Sequence, residues 1–452
     1  MKKIMMFLLL FLPTTIFGKD ITKESSILVN DKIINKIVDN NELSYSTIKT
    51  SDIITVKSDK NIYGLYIQYE LKSGKGTIIY DNTSINVGEN GFLHEYIELN
   101  SSTNELEIRF TENTKVAEIY VLDDGELPDF VEIWNKPLDN NSDLLLMSTH
   151  SDDEQLFFLG LMPTYVAKGA NVQVVYLTNH YDNPRRLHEQ LHGLYAVGIR
   201  NYPIIGIVPD AYSTSLEGAI KNINAAKLSV DDVVDFQVEM IRRFKPSVIV
   251  GHDELGEYSH GQHILNTHTL KIALEKATQT DYHEVSYNNY GTWDTPKTYL
   301  HLYKEKQIKM DYDTPIEYFN GLTAYEVSKI GYSKHLSQQW TWFTKWINGA
   351  NNSFKKSTEI TKYSPNDFGL YRTTVGEDIN KNDMFENITL RKDIVQENET
   401  TNKEDSNAIE KNNDIISLPD LIQENLKTII YIALILTLTL IIIVKNSKHK
   451  KR

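Results

Sequence analysis

The chain has 452 residues, enough for two packed cores, with no cysteine and a formal net charge of −14. Without cysteine, disulfides and thiolate metal sites are excluded, and stability has to come from packing. The acidity argues against a surface for nucleic acid or anionic lipid headgroups, which bind through clustered positive charge.

Met1-Lys2-Lys3, an apolar stretch over residues 4–17 and Gly18 have the charged and apolar regions of a secretory signal peptide. Residues 1–18 are therefore set aside from fold reasoning. Residues 19–130 read as all-β. The runs at 62–69, 76–80, 106–110 and 117–121 are short, rich in β-branched and aromatic residues, and separated by Gly, Asn and Ser, as in a β-sandwich. Tyrosines that look exposed there could stack on sugar rings, which would make this a glycan-binding domain, or they could be core.

From about residue 138 to 375 the period changes. Strands are expected at 144–147, 172–177, 204–208 and 248–250. Helical stretches alternate with them, one over 186–197 with Leu187, Leu191 and Leu194 on one face. Another opens on the capping-box-like Ser229-Val-Asp-Asp232 and carries Val234, Val238 and Ile241. This alternation predicts an α/β domain with a Rossmann-like, mostly parallel sheet. Residues 280–375 are less regular; His301 and His335 there read as structural histidines.

Two strands end in ionisable groups. Leu144-Leu145-Leu146-Met147 runs into Ser148-Thr149-His150-Ser151-Asp152-Asp153-Glu154, and Val248-Ile249-Val250-Gly251 runs into His252-Asp253, with His260-Gly-Gln-His263 just beyond. Each such group needs a partner once desolvated, a need that a divalent ion meets. His150 and Asp153, three apart at a strand-to-helix junction, share one side of a first helical turn while Asp152 points elsewhere. A metal-free, acid-rich helix start is the alternative for the first cluster alone, and ordinary loop histidines for the second. Both clusters following strands fits ligand binding at the carboxyl ends of an α/β sheet.

These motifs resemble those of the PIG-L or LmbE-like metal-dependent N-deacetylases, which remove acetyl groups from N-acetylglucosamine units. The family's first motif normally reads His-Pro-Asp-Asp-Glu and stands here as His150-Ser151-Asp152-Asp153-Glu154, with the His-x-x-His motif at His260 to His263. The resemblance covers roughly residues 140–345. It implies His150, Asp153 and His263 as metal ligands, Asp152 as general base, and His260 as the group that stabilises the oxyanion or protonates the leaving amine. It also points to Arg186 and Asp210 as substrate contacts; a surface ion pair between Arg186 and Glu189 is the alternative. Ser151 in place of proline is expected to loosen the loop without removing chemistry. Gln262 stands where many relatives carry aspartate, which leaves the protonation state of His260 open.

Two histidines and a carboxylate with an open position are the ligands of catalytic zinc (Zn2+), although iron or manganese would suit them too. Water on such an ion reaches a pKa of about 7, Asp152 can take its proton, and a protonated His260 can steady the charged oxygen. The function expected is hydrolytic N-deacetylation of an acetamido sugar in an extracellular or cell-wall glycan or glycoconjugate. A non-catalytic glycan-binding surface protein with a deacetylase-like domain is the alternative, and hydrolysis of another amide a third.

Residues 376–425 are polar and read as a disordered stalk. Residues 428–444 are uncharged and as a helix span ~26 Å, enough to cross a bilayer core. The basic residues of 445–452 keep that end cytoplasmic and leave the enzyme outside, on a single-pass anchor. Setting aside two leader lysines and five basic tail residues takes the formal charge from −14 to −21. Leu418-Pro419-Asp420-Leu421-Ile422 resembles a sortase signal but lacks the usual Thr-Gly, so a retained membrane anchor is expected over wall attachment.

Overall fold

The computed structural model describes residues 20–392. The expected leader, the apolar run at 428–444, the basic tail and the stalk beyond residue 392 lie outside them. Among the described residues no helix is long and apolar enough to cross a membrane.

The N-terminal part is all-β as expected. Its strands are β1 (Ser25–Val29), β2 (Lys32–Ile33), β3 (Ser46–Ile48), β4 (Ile54–Tyr69), β5 (Gly76–Tyr80), β6 (Thr83–Val87), β7 (His94–Phe110) and β8 (Thr114–Leu122). They join in one hydrogen-bonded sheet, in the order β2-β1-β4-β7-β5-β6, with β8 bonded to β3 and β4. Two separate sheets, as in a simple sandwich, are not seen, because the long β4 and β7 belong to both halves. Register breaks between Lys57 and Ile62 and between Ile62 and Gly64 let the pair bend. Tyr66, Tyr69 and Tyr80 are buried. They are core residues, whereas Tyr63, Tyr96 and Tyr120 are only partly buried.

The second part is built on β9 (Leu144–Ser148), β10 (Val172–Tyr176), β11 (Val248–Gly251), β12 (Lys297–His301), β13 (Gln307–Lys309) and β14 (Asp367–Thr373). Their order is β10-β9-β11-β12-β14-β13. The first four are mutually parallel and β14 is antiparallel to both its neighbours. Every residue of β9 to β12 is buried, so both faces must be covered. Leu145, Met147, Val175, Ile249 and Leu300 meet Val234, Val238, Ile241, Leu270 and Leu274 on one face. Leu144, Leu146, Val174, Val250 and Tyr299 meet Leu156, Phe158, Tyr165 and Leu187 on the other.

Two expectations for this part are corrected. Residues 204–208 form no strand: only isolated bridges Val175↔Ile204 and Thr178↔Val208 remain. Pro203 and Pro209 lack N–H donors, and Gly206 lies so close to β10's end that a Cβ would come 2.0 Å from the Leu177 carbonyl oxygen. The irregular stretch at 280–375 in turn supplies three strands of the sheet.

The stalk does not begin at 376. Met384 and Phe385 are buried, and Tyr165 OH donates to Asp383 Oδ1 at 2.9 Å while accepting from Met384 N at 2.9 Å. Lys297, fully buried in β12, donates to Asp378, and Tyr299 OH donates to the same carboxylate at 2.6 Å. Few apolar residues mark this segment, which is why composition alone reads it as unstructured. Removing one partner of a buried pair strands the other charge, at a cost of about 3–5 kcal/mol. Asp378→Ala should lower the unfolding free energy by about that amount in urea titration, whereas a solvated stalk residue would leave it unchanged.

Candidate active site

The sheet order places a topological switch at β9. The chain passes from β9 to β10 on one side and returns to β11 on the other, which opens a crevice at the carboxyl ends of β9 and β11. Leu146 and Val250 are register partners, so His150 and His252 leave the sheet side by side. Helix α1 (Asp153–Leu156) follows β9 after the short turn Thr149 to Asp152, and its preceding residue Asp152 sits at φ 145°. A non-glycine residue there is strained by roughly 1–3 kcal/mol. The strain is held by the Glu154 carboxylate, which accepts the Asp152 N–H at 2.8 Å.

Four further helices follow in this part: α2 (Leu161–Ala167), α3 (Pro184–Ala196), α4 (Leu216–Ala225) and α5 (Val230–Phe244). The predicted capping box of α5 is present at Ser229 and Asp232. Helix α6 (Gly261–Lys276) then places His260 at its N-cap and His263 in its first turn. Asn266 clamps α6 to β9 by donating to Ser148 O at 3.1 Å and Thr149 Oγ1 at 2.9 Å.

The three expected ligand groups converge. His150 Nδ1 lies 3.0 Å from Asp153 Oδ2 and 3.2 Å from His263 Nε2, and His263 Nε2 lies 3.1 Å from Asp153 Oδ2. All three residues are buried. The other nitrogen of each ring is held by an acceptor: His150 Nε2 donates to Gln262 Oε1 at 2.9 Å, and His263 Nδ1 to Glu257 Oε2 at 2.7 Å. With a cation in place of the inward proton, both inward nitrogens would present lone pairs beside a carboxylate oxygen, a donor set that fits a borderline divalent ion. Burial disfavours charge on His263, yet Asp153 and Glu257 outweigh it and hold that ring's pKa up at about 10. The cluster thus stabilises positive charge at this point.

Gln262 settles the tautomer of His150. Its Nε2 donates to Pro209 O at 2.8 Å and its Oε1 also accepts Ala211 N–H at 3.1 Å, so the amide cannot flip without losing both. His260 accepts Gln262 N–H on Nδ1 at 3.3 Å and carries its proton on Nε2. Burial, with the neighbouring His150 and His263, pushes its pKa down to about 2. Its ring lies 4.6 Å from that of His150 and 4.7 Å from that of His263.

Asp152 is buried beside the ligands without joining them. Arg186 lies 3.3 Å from its Oδ1 and also donates to Ser151 O. Burial pushes the Asp152 carboxyl up to about 7 against the pull of Arg186. The surface pair considered for Arg186 belongs instead to its neighbour: Arg185 Nε donates to Glu189 at 2.8 Å. Asp210 stands at the mouth, its carboxylate 3.6 Å from His150 Nε2 and 3.4 Å from His180 Nδ1. Ser151 does not loosen the loop. Its N–H donates to His180 Nε2 at 3.1 Å and its hydroxyl to Arg186 O at 2.7 Å. The first of these bonds is one that proline could not make.

Sequence reasoning missed the outer carboxylates. Glu257, fully buried, accepts from His252 at 2.9 Å, His263 at 2.7 Å and His301 at 2.6 Å. Glu154 lies 3.0 Å from His335 Nε2. His301 and His335 are structural, as expected, but they serve the site through these acids. His252 Nε2 lies 3.7 Å from Asp153 and has no hydrogen-bond partner among the described residues, which adds a nitrogen within reach of the cluster. Its place directly after β11, matching His150 after β9, is the signal that could have found it.

Residues 145–274 match the family model for the GlcNAc-PI de-N-acetylases, PIG-L. The chain carries a PIG-L domain. This chain is 29% identical over 202 residues to 1D-myo-inositol 2-acetamido-2-deoxy-alpha-D-glucopyranoside deacetylase 2 of Saccharopolyspora erythraea, covering 40% of this chain and 72% of that protein. It is 27% identical over 179 residues to the deacetylase of the same description from Geodermatophilus obscurus, covering 34% of this chain and 60% of that one. Among solved structures, the N,N'-diacetylchitobiose deacetylase of Pyrococcus horikoshii aligns with 14% identity and a TM-score of 0.36, covering 51% of this chain and 84% of the other. The PIG-L match begins inside β9 and ends within α6, so it contains every ligand and base position named above.

Outer-shell partners of metal-bound histidines typically set affinity by about 10–100-fold. Glu257→Gln should weaken metal retention by about that factor, read by competition with a chromogenic chelator, with the folded far-ultraviolet spectrum preserved.

Proposed function

We propose that this chain is a zinc-dependent hydrolase that removes the acetyl group from an N-acetylglucosamine-type sugar in a glycan or glycoconjugate. The observation that carries the reading is the convergence of His150 Nδ1, Asp153 Oδ2 and His263 Nε2 within 3.2 Å of one another, beside an aspartate that is not among them. A divalent ion held by these three groups would supply a water acidic near neutral pH and polarise the amide oxygen. Asp152 takes the water proton and passes it to the departing amine. Arg186 fixes the direction of that carboxylate, and the His260 Nε2–H donates to the oxygen on which charge develops, an effect worth roughly 3 kcal/mol for a well-placed donor. The products are acetate and a free amino sugar.

A sugar suits the rim. Tyr212 is 68% exposed with its ring 5.2 Å from His260. Trp342, 49% exposed, lies 5.9 Å from Tyr258, which in turn stands 5.4 Å from His260. Such faces, apolar and half wet, stack on pyranose rings, while Asp210 offers an acceptor for hydroxyl groups. The proposal extends to location: the leader-like residues 1–18 and the apolar run at 428–444 with its basic flank support a membrane-tethered enzyme that faces outward.

With N-acetylglucosamine oligomers as substrate, the full chain should release acetate, lose that activity in chelator and regain it with Zn2+. Asp152→Asn should lower kcat by about 10²–10⁴-fold with metal content unchanged. Chelator-insensitive release, or release from acetylated peptides alone, would overturn the proposal. Trp342→Ala should raise KM about tenfold and leave kcat nearly intact, the pattern of lost ground-state binding.

A further inference from the structure

A second group of histidines and acids lies where the β domain meets the PIG-L domain, outside the active site. It draws on Glu42 in the loop before β3, His94 at the start of β7, Glu132 in the connection between domains, and His188 and His192 on α3. His94 and His188 are fully buried and Glu132 nearly so. A cavity of about 480 Å³, lined in part by Glu42, Glu132 and His192, gives access from solvent.

The hydrogen bonds fix which atoms face inward. The Glu132 carboxylate accepts from His94 Nδ1 at 2.8 Å and from His192 Nδ1 at 2.7 Å, and it is itself held by Trp134 Nε1 at 3.1 Å. With Nδ1 protonated, His94 presents a lone pair on Nε2, and 2.8 Å away lies His188 Nδ1. Glu42 Oε2 stands 3.6 Å from His188 Nδ1 and 2.8 Å from His192 Nε2. His192 thus donates from both nitrogens and bridges the two carboxylates as a cation. Two glutamates and one charged histidine leave a net negative pocket around His94 and His188. His188 Nε2, buried, has no hydrogen-bond partner among the described residues. Glu42, His94 and His188 each offer one ligand atom, all within 4.8 Å of one another.

We propose that Glu42, His94 and His188 bind a second divalent cation of the zinc class, which clamps the β domain to α3 of the PIG-L domain. The ligand set repeats that of the active site, two imidazoles and one carboxylate, with outer partners on His94 and Glu42. Glu132 fixes the tautomer of His94, while His192 and Gln68, whose Nε2 lies 3.3 Å from Glu42 Oε2, orient Glu42. Two of the ligands come from one domain and one from the other, so the bound ion resists separation of the domains. His188 is two residues from Arg186, and the clamp holds the helix that aims Arg186 at Asp152.

Metal analysis of tag-free full chain loaded with Zn2+ should find two equivalents. The variant Asp153→Ala/His263→Ala, stripped with chelator and titrated with Zn2+, should take up one equivalent and unfold at a higher temperature once loaded. His94→Gln/His188→Gln should also hold one equivalent. Should that variant fail to fold, Glu42→Gln, at the half-exposed rim, should weaken the second equivalent by about tenfold or more. One equivalent in the natural chain and none in Asp153→Ala/His263→Ala would overturn the proposal and leave a purely hydrogen-bonded network. Retention of both equivalents in Glu42→Gln and in His94→Gln/His188→Gln would overturn it as well. Activity plays no part in these readouts, so a failed deacetylase assay and a failed clamp are distinguishable.

Discussion

The parallel pairing of β9 with β11 is the constraint on which the site depends. Only three register pairs join the two strands, Leu144 with Val248, Leu145 with Ile249 and Leu146 with Val250. Because both strands run the same way, their carboxyl ends coincide. A shift of one residue would turn His150 and His252 to opposite faces. The register is fixed from both sides, since Leu145 and Ile249 belong to one apolar layer and Leu146 and Val250 to the other.

Around this junction almost every ionisable group is buried, and each is answered by a neighbour. Glu257 serves three histidines, Glu154 caps the strained Asp152, and Gln262 holds His150 through an amide locked at both ends. A buried carboxylate without such partners would be driven to its neutral form. The histidines hold the Asp153 and Glu257 carboxyls well below the usual carboxylate range in spite of burial, whereas Asp152 moves up. Two adjacent aspartates are thus pushed in opposite directions by their surroundings.

Helix α3 joins the site to the rest of the molecule. One of its residues, Arg186, reaches Asp152, and two others, His188 and His192, meet the β domain. The same contact is reinforced by Phe92 stacked on Tyr202, ring centroids 4.3 Å apart, and by Tyr202 OH accepting from Leu93 N at 2.9 Å. One apolar cluster runs without interruption through both parts, from Ile21 to Phe385. The β domain is therefore fixed to the PIG-L domain, and its tyrosines contribute to that shared interior.

Local pattern made much of this legible. The apolar runs at 144–147 and 248–250, the capping residues of α5 and the His-Ser-Asp-Asp-Glu and His-x-x-His motifs depend on near neighbours in the chain, and the residues singled out there through the family resemblance are the ones the fold brings together. Partners brought together from distant segments were not legible. Glu257 reads as an ordinary loop acid until His301 approaches from β12, and nothing in the local pattern pairs Arg186 with Asp152 until α3 is docked. The 376–392 segment looks solvated until Lys297 meets Asp378. Sequence by itself determined the alternation of strand and helix and the chemistry available at two strand ends, because propensity and side-chain period act over a few residues. Tertiary structure alone decided which nitrogen of each histidine faces inward and which aspartate stays free, because tautomer and protonation answer to groups that only folding makes neighbours.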